Sequence, residues 1–516
     1  MAKYIFVTGG VVSGLGRGIT AATLGRLLKA RGYKVTALKF NPYFNVDNTF
    51  INPFHQGEIF VTEDGREADS VLGHYERIMH ENLSSVNDVT SGEIYSAVIA
   101  KERENKYNGV VVQVVPHITD EIKLRIKEIG NNDVDIVIVE IGGTVGDIES
   151  HPYLEAIRQF KSDFGKNNVA YIHVTLVPYI DVSGEQKTKP TQHSVKELQN
   201  VGIQPDVIVC RSDYPLGTSS KNKLSLFCNV DKDCIIQNLI SPSLYNLPLS
   251  LEEEGLASVV LRKLSLQDRQ PDLSTLTEFA KKVENTLNTN NKLSIALVGR
   301  YVDKYDAYLS MREALNLSGI YNGIKVEIKN INSDDLSKEN IDCLKDVDGV
   351  VIPSGFAAND FENKDIAIEY CRKNNVPTLM IGMGAQAGIL EFANNELKVD
   401  VNKIPPIVSI IKDGQPFFKK GAFKSNIVKG SKLYEIYGEN VIVERHHHRR
   451  QINPEIVDSL TKKGVVICAN SQEGDVDAYE LPNLKFFVGV MYRPELTSRP
   501  ETPNELILSF IKNCIK

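Results

Sequence analysis

The sequence predicts an α/β protein, a doubly wound parallel-sheet domain followed by a second α/β domain. Three observations carry that expectation. Short apolar runs alternate with helically spaced stretches along most of the chain. A glycine-rich turn joins the first run to the first helical stretch. The length, 516 residues, gives a prior of two to four domains at about 150 residues each.

Each element follows in order. Tyr4 to Thr8 is a short apolar strand, Gly9 to Gly18 the glycine-rich turn, and Ile19 to Ala30 a helix closed by the stop signal Arg31-Gly32. Lys34 to Phe40 is the next strand, and the apolar runs at 110–115, 134–141, 170–177 and 206–210 read as buried parallel strands. The apolar pattern weakens from about 266 to 292, where polar Gln267 to Leu273 precedes one amphipathic helix over Ser274 to Leu287 and a polar run from Asn288 to Asn291. The junction is placed there, giving a first domain over 1–266, a linker with one helix over 267–292 and a second domain over 293–516. The second domain opens at Leu293 to Gly299 and continues through strands at 325–329, 348–352, 377–381, 440–443, 465–468 and 486–491.

Composition excludes several function classes. With 59 Lys+Arg against 66 Asp+Glu the net charge is −7, so no general affinity for nucleic acid or a membrane surface is expected. Any polyanion must bind in a local basic site. The seven cysteines are scattered, without a Cys-x-x-Cys pair, and read as reduced thiols of a cytoplasmic protein. No apolar run reaches membrane-spanning length, and Met1 to Ile5 enters a strand directly instead of a signal peptide.

A strand, a glycine-rich turn and a helix together offer backbone N–H groups and a helix N-terminus to phosphate. Here the turn carries Gly9, Gly10, Ser13, Gly14, Leu15, Gly16, Arg17 and Gly18. It is P-loop-type but not a strict Walker A, since five residues separate Gly10 from Gly16 and Arg17 stands where Lys is expected. Such turns also occur for steric reasons alone, but Ser13, Gly16 and a cation together favour nucleotide phosphate. Phosphate chemistry needs Mg²⁺ held by carboxylates. Glu140 ends an apolar strand before Gly142-Gly143, where α/β sheets bind ligands, while Glu67 and Asp69 lie in a loop that spacing does not place. Lys187, Thr188, Lys189, Pro190, Thr191 and Gln192 form a basic, hydroxyl-rich loop suited to a triphosphate, with a solvated surface loop as the alternative.

Six blocks then resemble the CTP synthase family nearly end to end. They are Gly9-Gly-Val-Val-Ser13, Asn45-Val-Asp47, Leu72-Gly-His-Tyr-Glu-Arg77, Gln113-Val-Val-Pro-His117-Ile-Thr119, the run Glu140 to Ser150 and the run Ser183 to Leu198. The resemblance implies that ATP phosphorylates O4 of the uracil of UTP, after which ammonia attacks C4 and phosphate leaves. It implies that Ser13 to Gly18 cradle ATP, that Lys39 and Arg17 act on the transferred phosphoryl group, and that Asp69 and Glu140 hold Mg²⁺. It also implies that Ser13, Lys187, Thr188, Lys189, Gln192 and Lys223 hold UTP, that Asp147, Ile148 and Glu149 contact the pyrimidine nucleotide, and that the UTP site is built across subunits of a homotetramer, possibly assembling into filaments.

The second domain resembles a class I glutamine amidotransferase, whose Cys–His–Glu triad releases ammonia from glutamine. Aligning Pro377 to Gln386 with the nucleophile turn puts Gly382 at the Cys position, and aligning Gly489 to Glu495 with the closing motif puts Arg493 at the His position, so of the triad only Glu495 remains. Glycine carries no nucleophile, and arginine is no general base at neutral pH. Pro353 to Ala357 replaces a more glycine-rich oxyanion run, and Cys371 in a probable helix offers no substitute. Asn108 replaces the usual Leu of the GTP-responsive lid, Gln56 replaces the ammonia-gating His, and Thr49-Phe50-Ile51 replaces Gly-Thr-Met beside the substrate. Arg17 for Lys and Asn41 for Asp alter the synthase site. His446 to His448 sit in a strand-like run, where neighbours point to opposite faces, and read as structural instead of a metal site.

Three readings follow. The first is a glutamine-independent ligase using external ammonia or another amine, giving CTP or an N4-substituted analogue. The second is a non-catalytic paralogue that binds nucleotide and co-assembles with an active synthase. The third is another P-loop ATPase or a dethiobiotin-synthetase-like ligase, against which the Ser183 to Leu198 block stands.

Overall fold

The computed structural model describes residues 2–131, 133–241, 243–356, 361, 363–398, 400 and 403–516. The chain forms two compact units, Met1–Asn48 with His74–Ala280, and Thr49–Gly73 with Lys281–Lys516.

The first unit is built on seven parallel strands: β1 (Lys3–Gly9), β2 (Val35–Asn41), β3 (Asp88–Thr90), β4 (Ile136–Ile141), β5 (Val169–Leu176), β6 (Val207–Ser212) and β7 (Ile235–Leu239). Their order is β7-β6-β5-β1-β4-β2-β3, so the chain winds outward both ways from β1. Because all strands are parallel, the segments that follow β1, β2, β4 and β5 leave at one edge, where such sheets bind ligands. β1, β2, β4, β5 and β6 are largely apolar and buried along most of their length because helices cover both faces. Phe6, Phe40, Val139, Ile157 and Phe160 interlock in one core cluster, and α1 (Arg17–Ala30) packs on β1, β2 and β4 with Ala21, Leu24 and Leu28 buried.

One expected strand does not form. Residues 110–113 have no strand partner, and Val110, Val111, Val114 and Val115 are exposed. Positive φ at Asn108 and Gly109 turns the chain, and Pro116 has no N–H to give to a ladder. Val115 keeps an extended backbone (φ −109°, ψ 121°) ahead of the helix that begins at Thr119.

The second unit carries a nine-stranded mixed sheet: β8 (Lys292–Gly299), β9 (Lys325–Asn332), β10 (Gly349–Ile352), β11 (Thr378–Ile381), β12 (Lys419–Ile427), β13 (Val441–His448), β14 (Val466–Ser471), β15 (Val476–Glu480) and β16 (Phe487–Val490). The order is β9-β8-β10-β11-β16-β15-β14-β12-β13, with parallel pairing as far as β16 and antiparallel pairing beyond it. Alternation along the central strands divides the core: Ile295, Leu297, Val351 and Leu379 belong to one cluster, and Ala296, Val298, Val350 and Met380 to another. In the antiparallel extension β12 and β13 are short-range neighbours that pair residue by residue from Lys419↔His448 to Asn426↔Val441.

Two boundaries also differ from the sequence reading. Residues 49–73 pack with the second unit: the Glu58 carboxylate accepts from Ser310 N at 3.0 Å, and Arg445 donates to Val61 O at 3.0 Å. Residues 267–272 pack with the first, where Tyr33 donates to Gln267 O at 2.7 Å and Asp272 N to Ala30 O at 2.8 Å. The expected linker helix spans Ser274–Asn288. Among the described residues no helix is long and apolar enough to cross a membrane.

Candidate functional site

In the first unit the glycine-rich turn leads from β1 into α1. Gly14 and Gly16 hold φ of 74° and 81°, and Gly16 caps the helix, so the first-turn N–H groups of α1 face outward from the sheet edge. Ser13 and Gly14 are exposed, Leu15 and Gly18 are buried, and Arg17 is half-buried. A Cβ at Gly9 would overlap Cδ of Arg17 and one at Gly10 would overlap Oγ of Ser194, so both glycines are required by close neighbours.

Register brings the charged groups together. Lys39 on β2 lies opposite Glu140 on β4, and Val7 on β1 lies opposite Glu140 from the other side. Lys39 Nζ is 2.7 Å from Glu140 Oε1, the Tyr75 hydroxyl donates to Oε2 at 2.8 Å, and Arg17 Nε stands 3.8 Å from Oε1. Burial pushes the Glu140 carboxyl up, but the Lys39 and Arg17 charges and the two hydrogen bonds outweigh it and hold it below the usual range. The Arg17 guanidinium also donates to the Ile141 carbonyl at 3.0 Å and to that of Gly143. Asn41 donates to Asp88 at 2.7 Å.

His173, fully buried on β5, bridges Thr8 Oγ1 at 2.9 Å and Ser194 Oγ at 2.8 Å. Burial, helped by the Arg17 charge, lowers its pKa to about 3, so it is a neutral brace beneath the turn.

The remaining first-unit candidates lie in the segments after β4 and β5 and on a nearby helix. Asp147, Ile148 and Glu149 are exposed, and the Asp147 carboxylate accepts from Thr144 N at 2.6 Å. Lys187 pairs with Glu185. Thr188 is buried and accepts from Gln192 Nε2 at 3.0 Å. Lys189 opens α2 (Lys189–Asn200) and lies 5.6 Å from the Phe227 ring centroid, and Lys223 is exposed.

In the second unit, Gly382 joins β11 to α3 (Met383–Phe392) at φ 56°, ψ −114°. Its N–H donates to Val490 O at 2.7 Å, and its carbonyl accepts from Gln386 N at 3.1 Å. A Cβ at this position would lie 2.6 Å from Ser354 Oγ, and Ser354 is buried. Arg493 and Glu495 are both buried and form an ion pair. Burial works against the Arg493 charge, yet the Glu495 carboxylate raises its pKa further. Position 357 lies outside the described residues.

Near this turn, Glu67 accepts from His447 at 2.8 Å, Thr49 at 2.6 Å and Lys420 at 3.0 Å. Burial raises its pKa, but these three bonds and the His447 charge interaction bring it down to about 2. Asp69 accepts from Gln56 Nε2 at 2.7 Å and Val71 N at 2.8 Å. On β13 the histidines alternate: His447 meets Glu67, while His446 Nδ1 lies 2.9 Å from His448 Nε2. Asp69 and Glu140, expected together as magnesium ligands, fall in different units.

Comparison with known proteins divides the chain once along its length, with residues 49–73 inside the first match. The profile described as CTP synthase N-terminus matches residues 3–266, and that described as glutamine amidotransferase class-I matches residues 304–513. The chain is 48% identical to a CTP synthase of Clostridium kluyveri, covering 99% of this chain and 98% of that one. It is 46% identical to a CTP synthase of Methanocaldococcus jannaschii, again over 99% and 98%. The chain belongs to the CTP synthase family. The solved glutaminase domain of Trypanosoma brucei CTPS with bound acivicin matches with a TM-score of 0.41 and 27% identity, covering 43% of this chain and 93% of that one.

As a CTP synthase-family chain it has a parallel-sheet synthase domain followed by a class I glutamine amidotransferase-like domain. Three residues of the synthase domain escaped sequence reasoning. Tyr75 and Ser194 lie inside blocks that carry the family resemblance, but nothing local marks the one as a Glu140 partner or the other as a brace. His173 lies in an apolar strand, where a histidine gives no signal of its own.

Proposed function

We propose that this chain is an ATP-dependent ligase that aminates C4 of the uracil of UTP, taking nitrogen from free ammonia or another amine and not from glutamine. Uracil O4 attacks the γ-phosphorus of ATP as N3 gives up its proton, releasing ADP and forming 4-phosphoryl-UTP. The amine nitrogen then attacks C4, phosphate leaves with O4, and the nitrogen loses a proton to give CTP or an N4-substituted CTP. Phosphorylation converts a poor leaving group into a good one, so the protein's part is mainly positioning and charge neutralisation.

The observation that carries the reading is the contrast between the retained Lys39–Glu140–Arg17 arrangement and a nucleophile turn that bears Gly382 packed on Ser354, with Arg493 paired to Glu495. In the proposed roles, the N–H groups of Ser13 to Gly18 hold ATP phosphates, and Lys39 and Arg17 face the transferring phosphoryl group. Lys187, Thr188, Lys189, Gln192 and Lys223 hold UTP, with Asp147, Ile148 and Glu149 toward its sugar and base. Glu140 fits a magnesium ligand by its chemistry: a hard carboxylate oxygen, held ionised, at the carboxyl end of a parallel strand. Bound Mg²⁺ would supply charge neutralisation on the phosphates. For Asp69 the same role rests on the resemblance alone. The exposed Val110, Val111, Val114 and Val115 support a subunit interface and so a homotetramer.

The test is incubation with ATP, UTP, Mg²⁺ and ammonium, then with a panel of amines, reading UTP loss and new product by mass spectrometry. No product with any amine overturns the proposal. A second reading, a non-catalytic nucleotide-binding paralogue, is favoured by the Arg17 guanidinium donating to the Ile141 and Gly143 carbonyls instead of standing free for phosphate. It requires nucleotide binding by calorimetry with no UTP-dependent ADP release.

A further inference from the structure

The chain contains two Asn-Gly steps, Tyr107-Asn108-Gly109-Val110 and Tyr321-Asn322-Gly323-Ile324. Each has a tyrosine before the pair and a β-branched residue after it. Such a step is reactive in its own right, because the glycine nitrogen, unshielded for want of a Cβ, can reach the asparagine side-chain carbon. With matched neighbours in sequence, the two steps differ in what the fold does with them.

At the second step both reacting groups are held. Asn322 is half-buried at the end of the helix Leu309–Tyr321. Its Nδ2 donates to Ser318 O at 2.8 Å and to Leu508 O at 3.3 Å, and Gly323 N donates to Ile320 O at 3.2 Å. Ring closure there has to break all three bonds. The first step lies beyond the helix Ser91–Arg103, in an exposed turn with φ of 52° at Asn108 and 78° at Gly109. Asn108 N donates to Asn105 O at 3.1 Å. Among the described residues, neither the Asn108 side-chain amide nor the Gly109 N–H makes a hydrogen bond. Only an exposed turn has to open, and such segments open at low free-energy cost.

We propose that Asn108 is a site of spontaneous deamidation in the folded protein and that Asn322 is protected from it. The Gly109 nitrogen gives up its proton and attacks Asn108 Cγ, and the side-chain amide nitrogen leaves as ammonia, closing a five-membered succinimide. Water then adds to one of the two ring carbonyls. Opening at Cγ gives aspartate; opening at the main-chain carbonyl gives isoaspartate, with the backbone one carbon longer. Either product adds a negative charge in a segment that also carries Arg103 and Lys106. No enzyme, metal or oxidant is needed, and the inference does not rest on the amination reading.

The test is to incubate the purified full chain in ¹⁸O-water at mildly alkaline pH and follow both Asn-Gly peptides by mass spectrometry, folded and in denaturant. In the folded chain the Asn108 peptide should convert at least tenfold faster than the Asn322 peptide, taking one ¹⁸O and giving both aspartate and isoaspartate. In denaturant the two rates should agree within about twofold, since the sequences match. The variant Asn108→Gly, which suits the positive φ, should abolish the acidic species that builds up on ion exchange. Equal rates in the folded chain, faster conversion at Asn322, no conversion at Asn108, or the same tenfold ratio in denaturant would each overturn the assignment. These comparisons use the unaltered chain, so they hold even if the variant fails to fold.

Discussion

The turn after β1 and the turn after β11 are built on the same plan. Each leaves a buried parallel strand, passes through a glycine at positive φ (81° at Gly16, 56° at Gly382) and enters a helix at the sheet's carboxyl edge. They differ in the side chains around them. At the first, Lys39, Arg17 and Tyr75 converge on Glu140, an ionised carboxylate with two cations within 4 Å. At the second, a small hydroxyl fills the space a side chain at 382 would take, and Arg493 and Glu495 form a buried ion pair. The same strand–turn–helix backbone thus carries converging charges at one turn and a packed hydroxyl at the other, because that geometry also serves packing.

The largest expected effect lies in the second region and is structural. Arg493→Met should leave Glu495 buried and unpaired and destabilise the second unit by about 3–5 kcal/mol, seen as an earlier denaturant midpoint while UTP-dependent ADP release under native conditions is kept. Lys39→Ala should do the opposite, lowering ADP release about 10²–10³-fold with little change in the midpoint of the second unit. If both variants lost activity and stability alike, the division between a chemical and a structural turn would fail.

Next comes Glu67→Gln. The folded-state pKa of Glu67, about 2, lies below its ordinary value of 4.5, so its contribution is fully present above pH 4.5 and is lost as pH falls through 2. The difference corresponds to at most about 3 kcal/mol. Equilibrium unfolding across that window should show a steep acid dependence in the parent and a flatter one in the variant.

Gly382→Cys should cost about 1–3 kcal/mol, since the residue would take a positive φ and its Cβ would meet Ser354 Oγ at 2.6 Å. Adding Ser354→Gly should recover part of the loss in a thermal melt, and neither variant should hydrolyse glutamine, because Arg493 supplies no base. The smallest effect is at Arg17→Lys. The shorter cation cannot reach both backbone carbonyls as the guanidinium does, and the rate of ADP release should change by only a few-fold.

Much of this was legible in the sequence. Gly16, Arg17 and Glu140 follow from strand, turn and helix signals, while Lys39 and the turn bearing Gly382 are singled out by the family resemblance. What was not legible depends on tertiary context. The valines at 110–115 have strand composition, but composition does not say which face is covered, and positive φ at Asn108 and Gly109 takes them to the surface. Residues 49–73 pack with the second unit through Glu58, Val61 and Glu67, whose partners lie hundreds of residues away. Ser354 could be seen to depart from the family pattern, yet only coordinates put its hydroxyl in the space beside Gly382.

The source of nitrogen is the most direct test of the account. The chain should be incubated with ATP, UTP and Mg²⁺ and offered amide-¹⁵N glutamine together with unlabelled ammonium, then the reverse labelling, with the product nucleotide read by mass spectrometry. The account predicts ¹⁵N in the product only when ammonium carries the label. Label arriving from the glutamine amide, without prior release by another enzyme, would contradict it.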